Sequence, residues 1–142
     1  MLVKDVIDFL DSYAPLKYSE DFDNTGLIVG DKNAKVTGII ICLDSTKEVI
    51  QEAIDSNNNL IISFHPIIFN GLKQLSPGNY VNDSIILAIK NNISILYCLR
   101  NWFPISSTRF TSVSEVNLVE KEATEMLVII QKWFSLFNQD GE

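Results

Sequence analysis

The chain has 142 residues, of which 46% are hydrophobic, and a formal net charge of −7. This length and balance are typical of one globular domain that buries its core without a disulfide or a metal. The excess of acidic residues disfavours a free-standing nucleic-acid binder and a protein held on an anionic membrane. No apolar run approaches the ~20 residues that cross a bilayer, and the first residues lack a signal-peptide pattern. We therefore expect a cytoplasmic protein whose Cys42 and Cys98 stay reduced.

The N-terminal segment predicts a helix, then an acidic turn, then a short strand. Between residues 3 and 13 the apolar side chains recur at helical spacing, and Pro15 follows soon after. The turn comprises residues 20–26, with Asp21, Asp23 and Asn24 among them, and the strand residues 27–30.

The central part of the chain alternates apolar strands with amphipathic helices. Strands are predicted at residues 38–43, 60–64 and 93–98. The helix between the first two of these strands is predicted to begin at a capping box of Ser45 and Glu48 and to end at three asparagines, residues 57–59. The second helix covers residues 81–90, with Ile85, Ala88 and Ile89 facing inward. Continuously apolar strands are typical of a parallel sheet covered on both faces, so we predict an α/β, three-layer lobe with a mainly parallel sheet and a βαβαβ core.

The pattern weakens towards the C-terminus. Residues 104–113 are polar and predict a loop. Apolar side chains at helical spacing favour an amphipathic helix over residues 122–137, although a strand over residues 126–130 is the alternative.

Polar residues follow the three predicted strands where each one ends. Asp44 follows the first strand, Ser63 and His65 end the second, and Arg100 with Asn101 follows the third. Ligands of open α/β sheets bind beyond the carboxyl ends of the strands, so a site is expected here. Each residue also has a structural alternative: Asp44 as a helix cap, His65 as a hydrogen-bonded structural imidazole, Arg100 as a solvated cation.

Several functions are excluded or left open by the residues alone. The sequence has no glycine-rich phosphate loop. It has a single histidine, so a catalytic Ser-His or Cys-His pair could contain only His65. Asp23 and Asn24, in the acidic turn, are able either to ligate or to cap the turn.

Five segments together resemble the Nif-three-like family, also described as GTP cyclohydrolase 1 type 2 homologues or dinuclear metal centre proteins. They are residues 13–16, 20–30, 43–46, 60–69 and 71–95. The resemblance covers about residues 1–98 and implies an α/β fold with a pocket for two metal ions. It also implies rings of six subunits and metal-dependent hydrolysis of the GTP cyclohydrolase type.

The chain departs from the metal-ligand pattern of that family. His65 matches the second histidine of a His-His pair, while Phe64 occupies the first position. The family's aspartate falls on Phe103 or Pro104, depending on the register, and no histidine remains downstream. The resemblance therefore implies an incomplete metal site with His65 as the ligand and weak or partial occupancy by a divalent ion. It leaves open whether the chain is an enzyme, and we expect none of that activity from this chain alone.

The resemblance also sets the expected organisation. It implies an N-terminal Nif-three-like lobe over residues 1–103 and a divergent tail over residues 104–142, with the second lobe missing or degenerate. The other residues expected in the pocket or supporting the ligand are Asp44, Ser63, Asp23 and Asn24. A homo-oligomer is expected. The alternatives to a metal-binding, hydrolase-related protein are a non-catalytic oligomerising or interaction protein and a truncated gene product.

Overall fold

The computed structural model describes residues 1–13 and 23–97. Seven elements follow one another in this part of the chain: α1 (Val3–Tyr13), β1 (Gly26–Val29), β2 (Ile39–Cys42), α2 (Lys47–Asp55), β3 (Leu60–Ser63), α3 (Tyr80–Lys90) and β4 (Ser94–Tyr97). The helix or strand predicted within residues 122–137 lies outside the described residues, as do the acidic turn before Asp23 and the site residues Arg100 and Asn101. No helix among the described residues is long and apolar enough to cross a membrane.

The strands form one four-stranded sheet in the order β1-β4-β3-β2. β2, β3 and β4 are parallel neighbours, with Ile61 opposite both Ile40 and Ile95. β1 pairs antiparallel with β4 at the edge, and Gly30, at φ +115°, ends it where any Cβ would collide with Ser94. The predicted α/β fold and its three adjacent parallel strands are confirmed.

The core lies on both faces of the central strands. On one face, α2 and α3 pack against each other and the sheet, and Ile50, Ala53, Ile85 and Ala88 join Ile61 and Ile95 in one buried cluster. Side chains alternate along a strand, so Leu60, Ile62 and Leu96 point to the opposite face, where they are also buried. Each fully buried aliphatic side chain contributes about 1.5–3 kcal/mol, which explains why these runs are continuously apolar.

Both sheet-covering helices end in the same asparagine motif. Asn57 after α2 and Asn92 after α3 adopt left-handed conformations, with φ of 58° and 54°. After α2 the Asn57 N–H donates to the Ile54 carbonyl and the next N–H to the Ala53 carbonyl. The same pair of bonds follows α3, so both ends are Schellman motifs. The predicted stop at residues 57–59 is confirmed.

Two details of the helix predictions are wrong. The N-cap of α2 is Thr46 rather than Ser45, since the Val49 N–H donates to Thr46 Oγ1 at 3.2 Å. In α3, Ile89 is 52% exposed, because the buried face centres on Ile85 and Ala88.

Candidate functional site

The candidate site lies at the carboxyl edge of the three parallel strands. Two backbone bonds extend the contact of β2 and β3 past the ends of the strands: the Phe64 N–H donates to the Cys42 carbonyl at 3.1 Å, and the His65 N–H to the Leu43 carbonyl at 2.9 Å. This extension places Asp44 and His65 side by side, as the reasoning from parallel strand ends predicted.

The side chains of His65 and Asp44 form a hydrogen-bonded pair. His65 Nδ1 lies 2.9 Å from Asp44 Oδ1, and the two side chains are 60% and 53% exposed. Asp44 is available for this contact because Thr46, not Asp44, caps α2. The helix-cap alternative for Asp44 is therefore wrong. No described residue hydrogen-bonds to His65 Nε2.

Ser63 stabilises the main chain of this site through a side-chain hydrogen bond. Its side chain is fully buried, and its hydroxyl donates to the His65 carbonyl at 2.9 Å. The bond closes a tight turn immediately before Pro66, which stabilises the backbone from which the imidazole projects. Ser63 therefore acts on the backbone of His65, not on its ring, and its place in a pocket stays a prediction.

The electrostatic surroundings of the pair are acidic. Partial burial, followed by the charges of Asp44 and Glu48, raises the pKa of the Tyr80 hydroxyl at the start of α3. Burial raises the pKa of the Cys42 thiol to about 11, which keeps the thiol protonated near neutral pH and lowers its reactivity as a nucleophile.

Asp23 and Asn24 make tertiary contacts elsewhere. The Tyr97 hydroxyl donates to Asp23 Oδ1 at 3.1 Å and Oδ2 at 3.3 Å, and Asn24 Nδ2 donates to the Ile68 carbonyl at 2.7 Å. These bonds fasten the segment before β1 to the end of β4 and to the connection after His65. None of them reaches the His65–Asp44 pair. Tyr97 was missed by the sequence reasoning, although a polar aromatic residue ending an apolar strand is a usable signal.

The described residues do not bring a cluster of potential metal ligands together. Within residues 1–13 and 23–97, no three His, Cys, Asp or Glu side chains lie close enough together to hold a metal ion. The imidazole of His65, backed by Asp44, fits the role of a single ligand. Weak metal binding through His65 stays a prediction.

A hollow of about 490 Å³ opens in the connection between β3 and α3. Ile67, two residues after His65, lines it together with Asn70, Lys73 and Asn82. Apolar side chains are exposed along the same connection, namely Phe69, Leu72 and Leu75.

Comparison with known proteins places the described part of the chain among relatives. The profile of the Duf34/NIF3 (NGG1p interacting factor 3) family matches residues 1–98. A GTP cyclohydrolase 1 type 2 homolog of Clostridium acetobutylicum is 43% identical over 93 residues, which cover 66% of this chain and 35% of the relative. A protein of the same name from Clostridium perfringens is 36% identical over 102 residues, covering 72% and 39%. The chain thus spans little more than a third of the length of these relatives.

Solved structures agree with this match. A Staphylococcus aureus protein superposes with a TM-score of 0.67 at 38% identity, covering 69% of this chain and 28% of that chain. A Bacillus cereus protein related to NIF3 gives a TM-score of 0.66 at 35% identity, covering 69% and 27%. Because the family profile covers well over half of the sequence and the fold is shared with relatives of this similarity, the chain belongs to the DUF34/NIF3 family.

Proposed function

We propose that this chain binds a divalent metal ion through His65 Nε2, as the N-terminal lobe of a metal-binding, hydrolase-related NIF3 protein. The observation that supports the proposal is the 2.9 Å contact between His65 Nδ1 and Asp44. Histidines that bind metals commonly donate their second ring N–H to a carboxylate, which fixes the ring and raises its basicity.

The pair determines which nitrogen is available. A carboxylate only accepts hydrogen bonds. The bonded Nδ1 therefore carries the ring proton, and its N–H donates a hydrogen bond to Asp44. The lone pair of the neutral ring then lies on Nε2, to which no described residue hydrogen-bonds. An exposed imidazole in this tautomer is prepared to bind a cation.

The number of ligands limits the strength of binding. A catalytic zinc site uses three protein ligands and keeps one position for water, whose pKa the metal lowers. Here Phe64 stands beside His65, and its phenyl ring cannot coordinate. We therefore propose weak binding at well under two ions per chain, with hydrolysis left to a protein that supplies the remaining ligands.

Elemental analysis after dialysis against zinc tests this proposal. We expect His65→Ala to lose the bound zinc and Asp44→Asn to weaken zinc binding about 10- to 100-fold. Asp55→Asn, the same charge change on the exposed end of α2, serves as the matched control and keeps wild-type zinc binding. Two tightly held ions per chain, or an unchanged metal content in His65→Ala, would show that the ligand assignment is wrong.

The variants are suited to this test because the pair is exposed. Even a charged pair at this exposure contributes only about 0–1 kcal/mol to stability, so neither substitution should unfold the protein. Equal thermal midpoints of the three variants and the wild type verify this. A large loss of stability in His65→Ala would instead assign the imidazole to a structural role.

A second function, a non-catalytic self-associating protein, is favoured by a separate observation. Phe69, Leu72 and Leu75, which all lie in the connection between β3 and α3, are each between 41% and 57% exposed, and exposed apolar patches mark interaction surfaces. Light scattering should then show an oligomer or aggregate in both wild type and His65→Ala. A monodisperse species of 16.0 kDa at high concentration would refute this alternative.

A further inference from the structure

We infer that Asn70 is a site of spontaneous deamidation, which places a carboxylate beside the hollow that follows His65. Asn70 is the only asparagine of the chain that precedes a glycine. Both Asn70 and Gly71 are exposed, in a connection that has no helix or strand between β3 and α3. Such connections hold the backbone less tightly than regular elements do.

The reaction needs only water. The backbone nitrogen of Gly71 attacks Cγ of Asn70, and a new N–C bond closes a five-membered succinimide. The Cγ–Nδ2 bond breaks, and the amide leaves as ammonia with the proton that the Gly71 nitrogen gave up. Water then adds to one of the two ring carbonyls, and opening gives either aspartate or isoaspartate. No oxidant or reductant takes part.

The structure meets the two requirements of the attacking nitrogen. No described residue accepts a hydrogen bond from the Gly71 N–H. A Cβ built on Gly71 would meet nothing within 4 Å, and glycine itself lets the backbone rotate into the attacking conformation. The side-chain amide of Asn70 also makes no hydrogen bond with a described residue.

Other described asparagines differ in these respects. Asn24, Asn59 and Asn82 each donate their side-chain amide to a backbone carbonyl. The exposed Asn57 is followed by another asparagine, whose side chain crowds the attacking nitrogen. Asn70 therefore combines an unbound amide with an unhindered neighbour.

Deamidation of Asn70 adds a negative charge to a stretch that has no acidic residue. In a chain of net charge −7, residues 56–82 contain no Asp or Glu, and Lys73 is their only lysine or arginine. Asn70 and Lys73 both line the hollow of about 490 Å³. Deamidation places the first carboxylate of this stretch next to its one lysine, and isoaspartate also lengthens the main chain there.

Peptide mapping of the full chain after storage at neutral pH tests the inference. Trypsin releases residues 48–73 as one peptide, which carries Asn70 together with the reference run at residues 57–59. We expect the amide-to-acid mass gain at Asn70 several-fold faster than in the reference run. Isoaspartate methyltransferase should label the same peptide. The rate should rise with pH, since attack requires a deprotonated nitrogen.

Two variants distinguish this reaction from general degradation. Gly71→Ala keeps Asn70 and fits the open backbone, and it should slow the reaction several-fold. Asn70→Gln should abolish the labelling at this position while the reference run stays unchanged. Equal rates at Asn70 and in the reference run, or an unchanged rate in Gly71→Ala, would overturn the inference.

Discussion

The connection between β3 and α3 should depend on one buried amide. Asn82 is 5% exposed, and its Nδ2 donates to the Ser76 carbonyl at 2.8 Å and to the Gln74 carbonyl at 3.4 Å. We predict that Asn82→Ala loosens this connection while the sheet and helices persist. The reason is that the substitution removes both bonds and leaves the strands untouched.

The size of the effect follows from the two bonds. A typical hydrogen bond contributes about 0.5–1.5 kcal/mol net, and the longer bond, to Gln74, contributes the smaller share. We therefore expect a loss of about 1–2 kcal/mol, which raises the open population of the connection by a factor of roughly 5–30. The two carbonyls regain water when the connection opens, so the loss stays local.

Limited trypsin digestion measures this opening at Lys73, which is exposed within the connection. Cleavage after Lys73 should accelerate by the same factor in Asn82→Ala, because the rate follows the open population when opening is fast. Asn91→Ala is the matched control, since its amide donates to the Leu87 carbonyl within α3 and does not reach the connection. An unchanged rate at Lys73 in Asn82→Ala, or an equal acceleration in the control, would refute the reasoning.

Three further predictions concern the fold and the edge of the sheet. Thr46→Ala should lower the free energy of unfolding by about 1 kcal/mol through loss of the α2 cap, whereas Thr46→Ser should not, as denaturant titration will show. Ile61→Ala should lower the free energy of unfolding by about 2–5 kcal/mol, because the side chain is fully buried in the core cluster. A loss smaller than that of Thr46→Ala would contradict the described core. Burial raises the pKa of Cys42 to about 11. In a Cys98→Ala background, alkylation of Cys42 should therefore be slow at a pH near the pKa of a free thiol, about 8.5, and should accelerate as the pH rises towards the pKa of Cys42. Alkylation as fast as that of a free thiol would exclude the described burial.

Much of the fold could be predicted because burial on two faces restricts sequence strongly. The strand over residues 60–64 is apolar at nearly every position, a pattern that a strand exposed on one face does not show. The start of α2 could not be fixed to the residue, since Ser45 and Thr46 are both good caps and only the backbone geometry selects Thr46.

The site could be predicted in part for a similar reason. Parallel strands end at the same edge, so Asp44 and His65 were expected near each other. Their 2.9 Å contact could not be predicted, because it depends on backbone pairing that continues past the ends of β2 and β3. The bond between Asp23 and Tyr97 joins residues 74 positions apart, and no local pattern encodes such a pairing.

Nitrogen NMR of the imidazole tests the proposed role of His65 most directly. The chain contains one histidine, so selective labelling gives two ring signals with no overlap. Titration with zinc should shift the Nε2 signal, while Nδ1 keeps the signature of a protonated nitrogen bonded to Asp44; in Asp44→Asn the same shift should require more zinc. A shift confined to Nδ1, or no shift of either nitrogen, would contradict metal binding through Nε2.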